Sequence, residues 1–475
     1  MSSRRLIRNM GFYFLGIFST KMLQFLFIPL YSKYIEPADF GYYSLTVSII
    51  ALLIPLLYQS IWEGILRFMI EKEGDERNVL TTASIYCFGL TILYSILFLI
   101  TATSFNIQFG IAVLIMGICQ MGVSYWQFSA RALKENRIYA ISTVVQSVIA
   151  ILLNIVLIMV FKWGLLALFI ANTVGNLVSI IILEANIKII KGLKKEDFNR
   201  DLLKSIIKYS FPLSVNAVSW WLINSFNTVV ITYKIGIDEN GIYSLASRFG
   251  TIMALITSVV TMAWIEESFR SYDTKESDTF FNSVLDALIR AVFSAVALLI
   301  PVTYVFYQLY VFKGYGKGVI LTPVIYLTAA YSAIASHLAS VFLARKESNI
   351  IFKTTLIGGL VSAIGGFLLA ESYGSMGVVV TSLIGFIVMC VIRIPMIHKR
   401  MNLRINYAMT IGMTGLCLIV MIICNLNAAS LIYQLCIFVI VVVIVGIVNI
   451  DLLKYLLSSI NTAIKQRPSS GNILP

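Results

Sequence analysis

A chain of 475 residues is long enough for two or three soluble domains, but 59% of it is apolar and only 12% charged. A soluble core cannot hide that much apolar surface, so the solvent for most of the chain is lipid. The net charge of +13 does not indicate nucleic acid, because the 36 Lys and Arg are spread over short polar gaps and form no continuous patch.

A helix needs about 20 mostly apolar residues to cross a bilayer. On that scale the chain predicts fourteen spans: 11–33, 42–66, 80–101, 108–130, 138–161, 164–187, 206–233, 241–265, 283–309, 318–343, 350–370, 375–398, 406–425 and 429–453. With a cytoplasmic N-terminus, 28 of the 36 Lys and Arg fall on inner segments, five on outer segments and three (Lys21, Arg248 and Arg290) inside helices. This bias places both termini inside. The six cysteines all lie in apolar runs without a Cys-x-x-Cys pair, so neither a disulfide framework nor a zinc site is expected.

The chain also repeats itself. Gly41, Tyr43, Ser44 and Leu45 return as Gly241, Tyr243, Ser244 and Leu245, each set in a polar gap between apolar runs. Lys134-Glu135 returns as Lys346-Glu347, and Gly164 with Gly175 returns as Gly374 with Gly385. A unit of about 200 residues is duplicated, and an even number of helices separates the copies, so the halves run in parallel. The expected domains are an N-lobe at 1–187, a cytoplasmic interfacial linker at 188–205 and a C-lobe at 206–400. Two additional helices at 401–457 and a cytoplasmic tail at 458–475 complete the chain. The fold class is an all-α polytopic membrane protein, two parallel six-helix repeats plus two C-terminal helices. Gly41 and Gly241 read as residues of tight outer turns. The linker, with five lysines and Arg200 among apolar residues, reads as an interfacial helix on the inner leaflet.

Ionisable residues inside a membrane are costly, on the order of 2.5–3.5 kcal/mol each on insertion scales, and so face protein or water. Lys21 shares a face of the first span with Gln24. Gln59, Glu63 and Arg67 share one on the second. Tyr209, Asn216, Trp220, Asn224 and Asn227 share one on the seventh, and Arg248 shares one with Ser244 and Thr251 on the eighth. Polar faces on the first two helices of each half predict a hydrated cavity between the halves, lined by Lys21, Gln24, Gln59, Glu63, Asn216, Trp220, Asn224 and Arg248. Glu63 with Arg67, and Asp286 with Arg290, have the spacing of structural or coupling ion pairs. His337 reads as a buried polar residue. Lys21 and Arg248 have no carboxylate three or four residues away, and cations of that kind favour an anionic cargo.

The stretch from Pro37 to Ser44, the Arg131, Lys134, Glu135, Asn136 loop and the Gly164 start of the sixth span resemble those of Wzx-type polysaccharide flippases. These belong to the multidrug/oligosaccharidyl-lipid/polysaccharide exporter superfamily, and the likeness covers roughly residues 1 to 400. The resemblance implies a V-shaped pair of lobes in a bacterial inner membrane. It also implies alternating access to an undecaprenyl-pyrophosphate-linked oligosaccharide of O-antigen or a related surface polysaccharide. Cationic residues on the first and eighth helices, here Lys21 and Arg248, would line the cavity, and a polymerase and a chain-length regulator would be partners. No cofactor is expected. Coupling to a proton or sodium gradient would fall to Glu63 or Asp286. A cation or multidrug antiporter of the same superfamily is the nearest alternative, but it needs deep acidic groups, and these are few. A membrane polysaccharide polymerase needs a large outer loop with catalytic residues, whereas the longest outer loop here has about ten residues.

Overall fold

The computed structural model describes residues 25–71, 76–105, 107–268, 275–345 and 347–451. Among these, all regular structure is helical, in sixteen α-helices. The first lobe comprises α1 (Ile28–Tyr34), α2 (Pro37–Leu57), α3 (Ile61–Glu71), α4 (Glu76–Phe105), α5 (Gly110–Ala132), α6 (Asn136–Ile155) and α7 (Leu165–Ile187). A short helix, α8 (Ile189–Gly192), leads to the second lobe of α9 (Arg200–Asn224), α10 (Phe226–Lys234), α11 (Ile237–Ser268), α12 (Lys275–Tyr310), α13 (Gly318–Ala344) and α14 (Ser348–His398). The two added helices, α15 (Tyr407–Leu426) and α16 (Leu431–Val448), pack on α12. Ten of the described helices are long and apolar enough to cross a membrane, which makes this a multi-pass membrane protein. The count of fourteen crossings stays an expectation.

Several boundaries differ from the hydropathy frame for local reasons. The second span begins earlier, at Pro37, whose fixed φ suits a first helical turn. It breaks where Gln59 and Ser60 take φ of 52° and 48°. Buried Tyr58 and Ile61 on either side hold this break in place. The seventh span breaks at Ser225 (φ −124°, ψ −20°), separating α9 from α10. The eleventh and twelfth spans run together as α14, but Gly374 (φ 60°, ψ −153°) divides them.

The duplication is visible in contacts as well as in sequence. Gly164 (φ 54°, ψ −126°) takes almost the same backbone shape as Gly374, in a region open essentially to glycine alone. A Cβ on Gly175 would meet Gln146 O at 2.9 Å and Ala150 Cβ at 3.0 Å, and one on Gly385 would meet Gly358 O at 2.6 Å and Ser362 Cβ at 3.2 Å. Gln146 and Ala150 stand to Gly358 and Ser362 at the same sequence offset. The fifth and sixth spans therefore pack as the eleventh and twelfth do.

Two expectations need correcting. Gly41 and Gly241 are not turn residues. Both are helical, on α2 and α11, and the two helices meet there: a methyl on Gly41 would overlap Ile237 O, and one on Gly241 would overlap Pro37 O. The echoed motifs thus touch each other, joining the lobes, and Asn240 Nδ2 donates to Gly41 O at 2.8 Å across the same contact. Lys313 Nζ reaches Glu36 at 2.7 Å beside it. The linker, second, is no continuous interfacial helix. Lys188 takes a left-handed φ of 52° and ends α7, after which only α8 and a 3-10 turn, Lys195–Asp197, form. The Glu184 carboxylate fastens this start by accepting from Ile189 N at 3.1 Å, Ile190 N at 2.9 Å and Trp126 Nε1 at 2.8 Å.

Candidate functional site

Arg248 is the ionisable residue around which a site can be built, and α11 carries it across the lobe interface. Its guanidinium lies 4.9 Å from the Tyr31 ring centre and 5.0 Å from that of Phe40, both on first-lobe helices. Aromatic faces attract a cation while leaving its N–H groups available. The same arginine lines a cavity of about 200 Å³ with Phe27, Tyr31, Tyr43, Gln146, Asn154 and Asn172. The cavity sinks into the first lobe, between α1, α2, α6 and α7.

Neutral amides dominate its walls. Gln146 Nε2 donates to Asn176 Oδ1 at 2.6 Å, Asn176 Nδ2 to Asn172 Oδ1 at 3.1 Å, and Asn172 Nδ2 to Tyr43 OH at 3.2 Å. Gln120 Oε1 accepts from Asn176 Nδ2 at 3.3 Å behind them. Burying so many polar groups is costly unless they bond to one another, which the chain of amides achieves. None of these residues was among the sequence candidates. Their signal was present as amides at helical spacing on the fourth to sixth spans, Gln120 with Gln127, Gln146 with Asn154, and Asn172 with Asn176. They carry no charge, so nothing in the sequence sets them apart from amides that only join helices.

The other candidates fall into three groups. Lys21 and Gln24 lie outside the described residues. On α9, Asn216 and Trp220 share an arc with exposed Asn224. Ile206, Ser210 and Trp221 on one side of that arc contact the second span: Gly64 abuts Ile206 and Ser210, and Trp221 Nε1 donates to Ser48 O at 2.8 Å. On the other side Ser219, Leu222 and Ile223 abut Gly358 and Gly359 of α14. The arc of Asn216, Trp220 and Asn224 thus lies between two packed sides of α9, apart from exposed Phe211 and Val215. Asn227 does not continue it, because the break at Ser225 turns α10. Its Nδ2 instead donates to Ser382 Oγ at 2.7 Å and Tyr243 OH at 3.2 Å inside the second lobe.

The third group is the ion pairs. Asp286 Oδ2 and Arg290 Nε form the expected i, i+4 bridge at 2.7 Å, and Arg290 also donates to Val448 O at 3.3 Å, which gives this pair a role in seating α16. Gln59 sits in the break after α2, against Tyr86. Glu63, on α3, lies in the field of Arg131, whereas Arg67 lies over the Tyr209 ring at 4.4 Å. His337 is buried and stacks on Phe281 with ring centres 4.5 Å apart. Among the described residues no group of His, Cys, Asp and Glu could hold a metal ion.

The profile of a family described as "Polysaccharide biosynthesis protein" matches residues 6–265. A search of curated protein sequences found no match. Among solved structures, the lipid II flippase MurJ in an inward-closed conformation superposes with a TM-score of 0.70 at 16% identity, covering 92% of this chain and 99% of that one. An inward-facing multidrug resistance MATE transporter of the MOP superfamily gives 0.64 at 16% identity, covering 80% and 95%. A MOP-superfamily transporter from Pyrococcus furiosus, described as having a binding pocket of reversed polarity, gives 0.54 at 14% identity, covering 82% and 95%. At these identities the structural likeness is one of fold.

Proposed function

The chain belongs to the polysaccharide biosynthesis protein family, and from that premise we propose that it is a flippase. Its cargo would be an undecaprenyl-pyrophosphate-linked oligosaccharide repeat unit of O-antigen or a related surface polysaccharide. It would turn that unit from the cytoplasmic to the outer leaflet of a bacterial inner membrane by alternating access. The observation that carries the reading is the placement of Arg248, a membrane-embedded guanidinium between two aromatic rings, at a cavity walled by neutral amides.

The chemistry of the cargo fits that placement. A pyrophosphate needs positive charge in a site of low dielectric, where a cation is worth far more than in water. Arg248 supplies it, and Lys21 of the first span would add a second positive charge. The glycan needs groups that both donate and accept, which Asn216 and Asn224 on the α9 arc offer, with Trp220 as a stacking surface for a sugar face. The isoprenoid tail needs no site, because it stays in lipid at the gap between lobes. A cation antiporter fits less well, since no carboxylate is among the described residues lining the Arg248 cavity. Energy coupling falls to Glu63 as the working assignment, because Asp286 is held in its bridge to Arg290. A polymerase and a chain-length regulator are the expected protein partners.

The test is export of surface glycan by cells whose only copy is Lys21→Ala/Arg248→Ala, at wild-type protein level. Export should fall at least tenfold. Normal export would refute the proposal.

A further inference from the structure

The two lobes differ in what covers the cleft between their third and fourth spans. In the second lobe that cleft, between α12 and α13, holds the added helix α15: Cys417 Sγ donates to Phe293 O at 3.5 Å, and Thr414 Oγ1 meets Tyr331 OH at 2.9 Å. The Lys134–Lys346 echo, extended back along the uninterrupted helices α5 and α13, carries Tyr331 onto Cys119. Cys119 lines a slot in the first lobe, with Ile85 and Phe88 of α4, Ile118 and Gly122 of α5 and Ile180 of α7. No described helix fills it. Of the candidate spans, α4 buries the smallest share of its residues, and Phe88 at the slot is 70% exposed.

The walls select a hydrocarbon. Their polar groups are already bonded within the protein: Ser84 Oγ with Tyr125 OH at 2.6 Å, Thr91 Oγ1 to Cys87 O at 2.8 Å, and Trp126 Nε1 to Glu184 at 2.8 Å. A sugar or a peptide backbone would find no free partner there, whereas an alkyl chain needs none.

One end of the slot is closed by the segment that links the lobes, whose Ile189, Ile190, Leu193, Lys195 and Phe198 line it. Hydrogen bonds pin this strap on both sides. The Glu184 carboxylate of α7 holds Ile189 N and Ile190 N, while on α4 Arg77 Nε donates to Gly192 O at 3.0 Å and bridges Asp197 at 2.8 Å, and Thr82 Oγ1 accepts from Asn199 N at 3.1 Å. A helix of another protein crossing the whole membrane along the slot would run into the strap. A lipid, which ends at the headgroup, would not. Lys191, Lys194 and Lys195 are exposed on the strap, and none is in an ion pair with another described residue. Exposed Ile190 and Phe198 beside them give the strap the mixed character of a segment seated at a membrane surface. Lysines at headgroup depth attract anionic lipid.

We propose that this slot binds one anionic phospholipid of the surrounding membrane, an acyl chain between α4 and α5 and its phosphate at Lys191, Lys194 and Lys195. The lipid does for the first lobe what α15 does for the second, and the site does not rest on the flippase reading.

The experiment uses the full chain in detergent micelles. The probes are dioleoyl phosphatidylglycerol and dioleoyl phosphatidylcholine, which share their chains and differ in net charge, with binding of the first lipid read by native mass spectrometry. The wild type should bind phosphatidylglycerol at least about fivefold tighter than phosphatidylcholine. Lys191→Gln/Lys194→Gln/Lys195→Gln changes only exposed residues and should bring the ratio to within about twofold. Lys399→Gln/Arg404→Gln, which removes exposed cations from the loop after α14, should leave it intact. Ile118→Trp/Leu177→Trp, which fills the slot, should weaken the first phosphatidylglycerol by at least about fivefold. A wild-type ratio within twofold overturns the proposal, as does a ratio that survives the triple variant or falls as far in the α14-loop variant. Unchanged affinity in the slot-filling variant overturns the slot as the chain site. Displacement of phosphatidylglycerol by equimolar undecaprenyl phosphate would give the slot to the cargo lipid instead, and a photo-crosslinker at Ile118 that captures a protein in cells would give it to a partner helix; either overturns the phospholipid assignment.

Discussion

Replacing Gly41 with alanine should force the lobes apart where α2 meets α11. The new methyl would overlap Ile237 O and stand 2.9 Å from Gly241 N and 3.1 Å from Ile237 C. All three are backbone atoms of the opposing helix, so no side-chain rotation relieves the clash and the helices must separate. Overpacking of this kind costs roughly 1–3 kcal/mol, and weakening the Asn240–Gly41 bond adds about 1 kcal/mol. At about 1.4 kcal/mol per factor of ten, a penalty near 2 kcal/mol on the closed arrangement shifts its equilibrium with an open one by about thirtyfold. The readout is a cysteine at Leu245, fully buried one helical turn beyond Gly241, in a background without the native cysteines. A membrane-impermeant maleimide should label Leu245→Cys at least tenfold faster in the Gly41→Ala protein than in its parent. Gly241→Ala should do the same, and the double variant should show less than the sum, because both disrupt one contact. Unchanged labelling together with an unchanged unfolding temperature would refute the claim that this contact holds the lobes together.

Other outcomes follow from single groups. Arg248→Lys should retain part of the glycan export and Arg248→Gln as little as Arg248→Ala, since charge dominates while the planar stack on Tyr31 and Phe40 refines it; equal export by the lysine and glutamine variants would refute the charge argument. Glu184→Leu strips two backbone amides of their acceptor, about 2–4 kcal/mol locally, so limited trypsin digestion at Lys191 and Lys194 should accelerate. Arg393 is 1% exposed and donates to Thr354 Oγ1 at 3.0 Å, Ala335 O at 2.7 Å and Thr355 Oγ1 at 3.0 Å. Arg393→Met should therefore lower thermal stability by about 3 kcal/mol or more, read as the unfolding midpoint in detergent. Gly164→Ala and Gly374→Ala should each cost about 1–3 kcal/mol in the same assay, whereas Gly412→Ala, with open space around its Cβ, should cost little.

Much of the fold was legible because lipid imposes a simple code of apolar length, charge asymmetry and repeat period. Gly41 and Gly241 were visible as an echo, but their partnership was not. A sequence shows that a position requires glycine without showing which helix approaches it, and a Pro, Asp and Gly in one polar gap read as a turn. The break at Ser225 had no local signal, since neither Gly nor Pro marks it, and it moved Asn227 out of the face that regular periodicity assigned. The positive φ at Gln59 and Ser60 is likewise held by packing around Tyr58 and Ile61 rather than announced by composition. Arg248 was legible because a charge in an apolar run stands out. The amides around it were not, because a neutral Asn in a membrane helix is as often glue between helices as part of a site.

The most direct test of the central claim is transport itself. Purified protein would be reconstituted into vesicles with a fluorescent undecaprenyl-pyrophosphate-linked oligosaccharide, and its appearance in the opposite leaflet followed with an impermeant quencher. The account predicts transfer at least tenfold faster than in empty vesicles, abolished by Arg248→Ala and undiminished for competing cationic dyes, which should not be carried. Transfer no faster than in empty vesicles, or faster transfer that Arg248→Ala leaves intact, would contradict it.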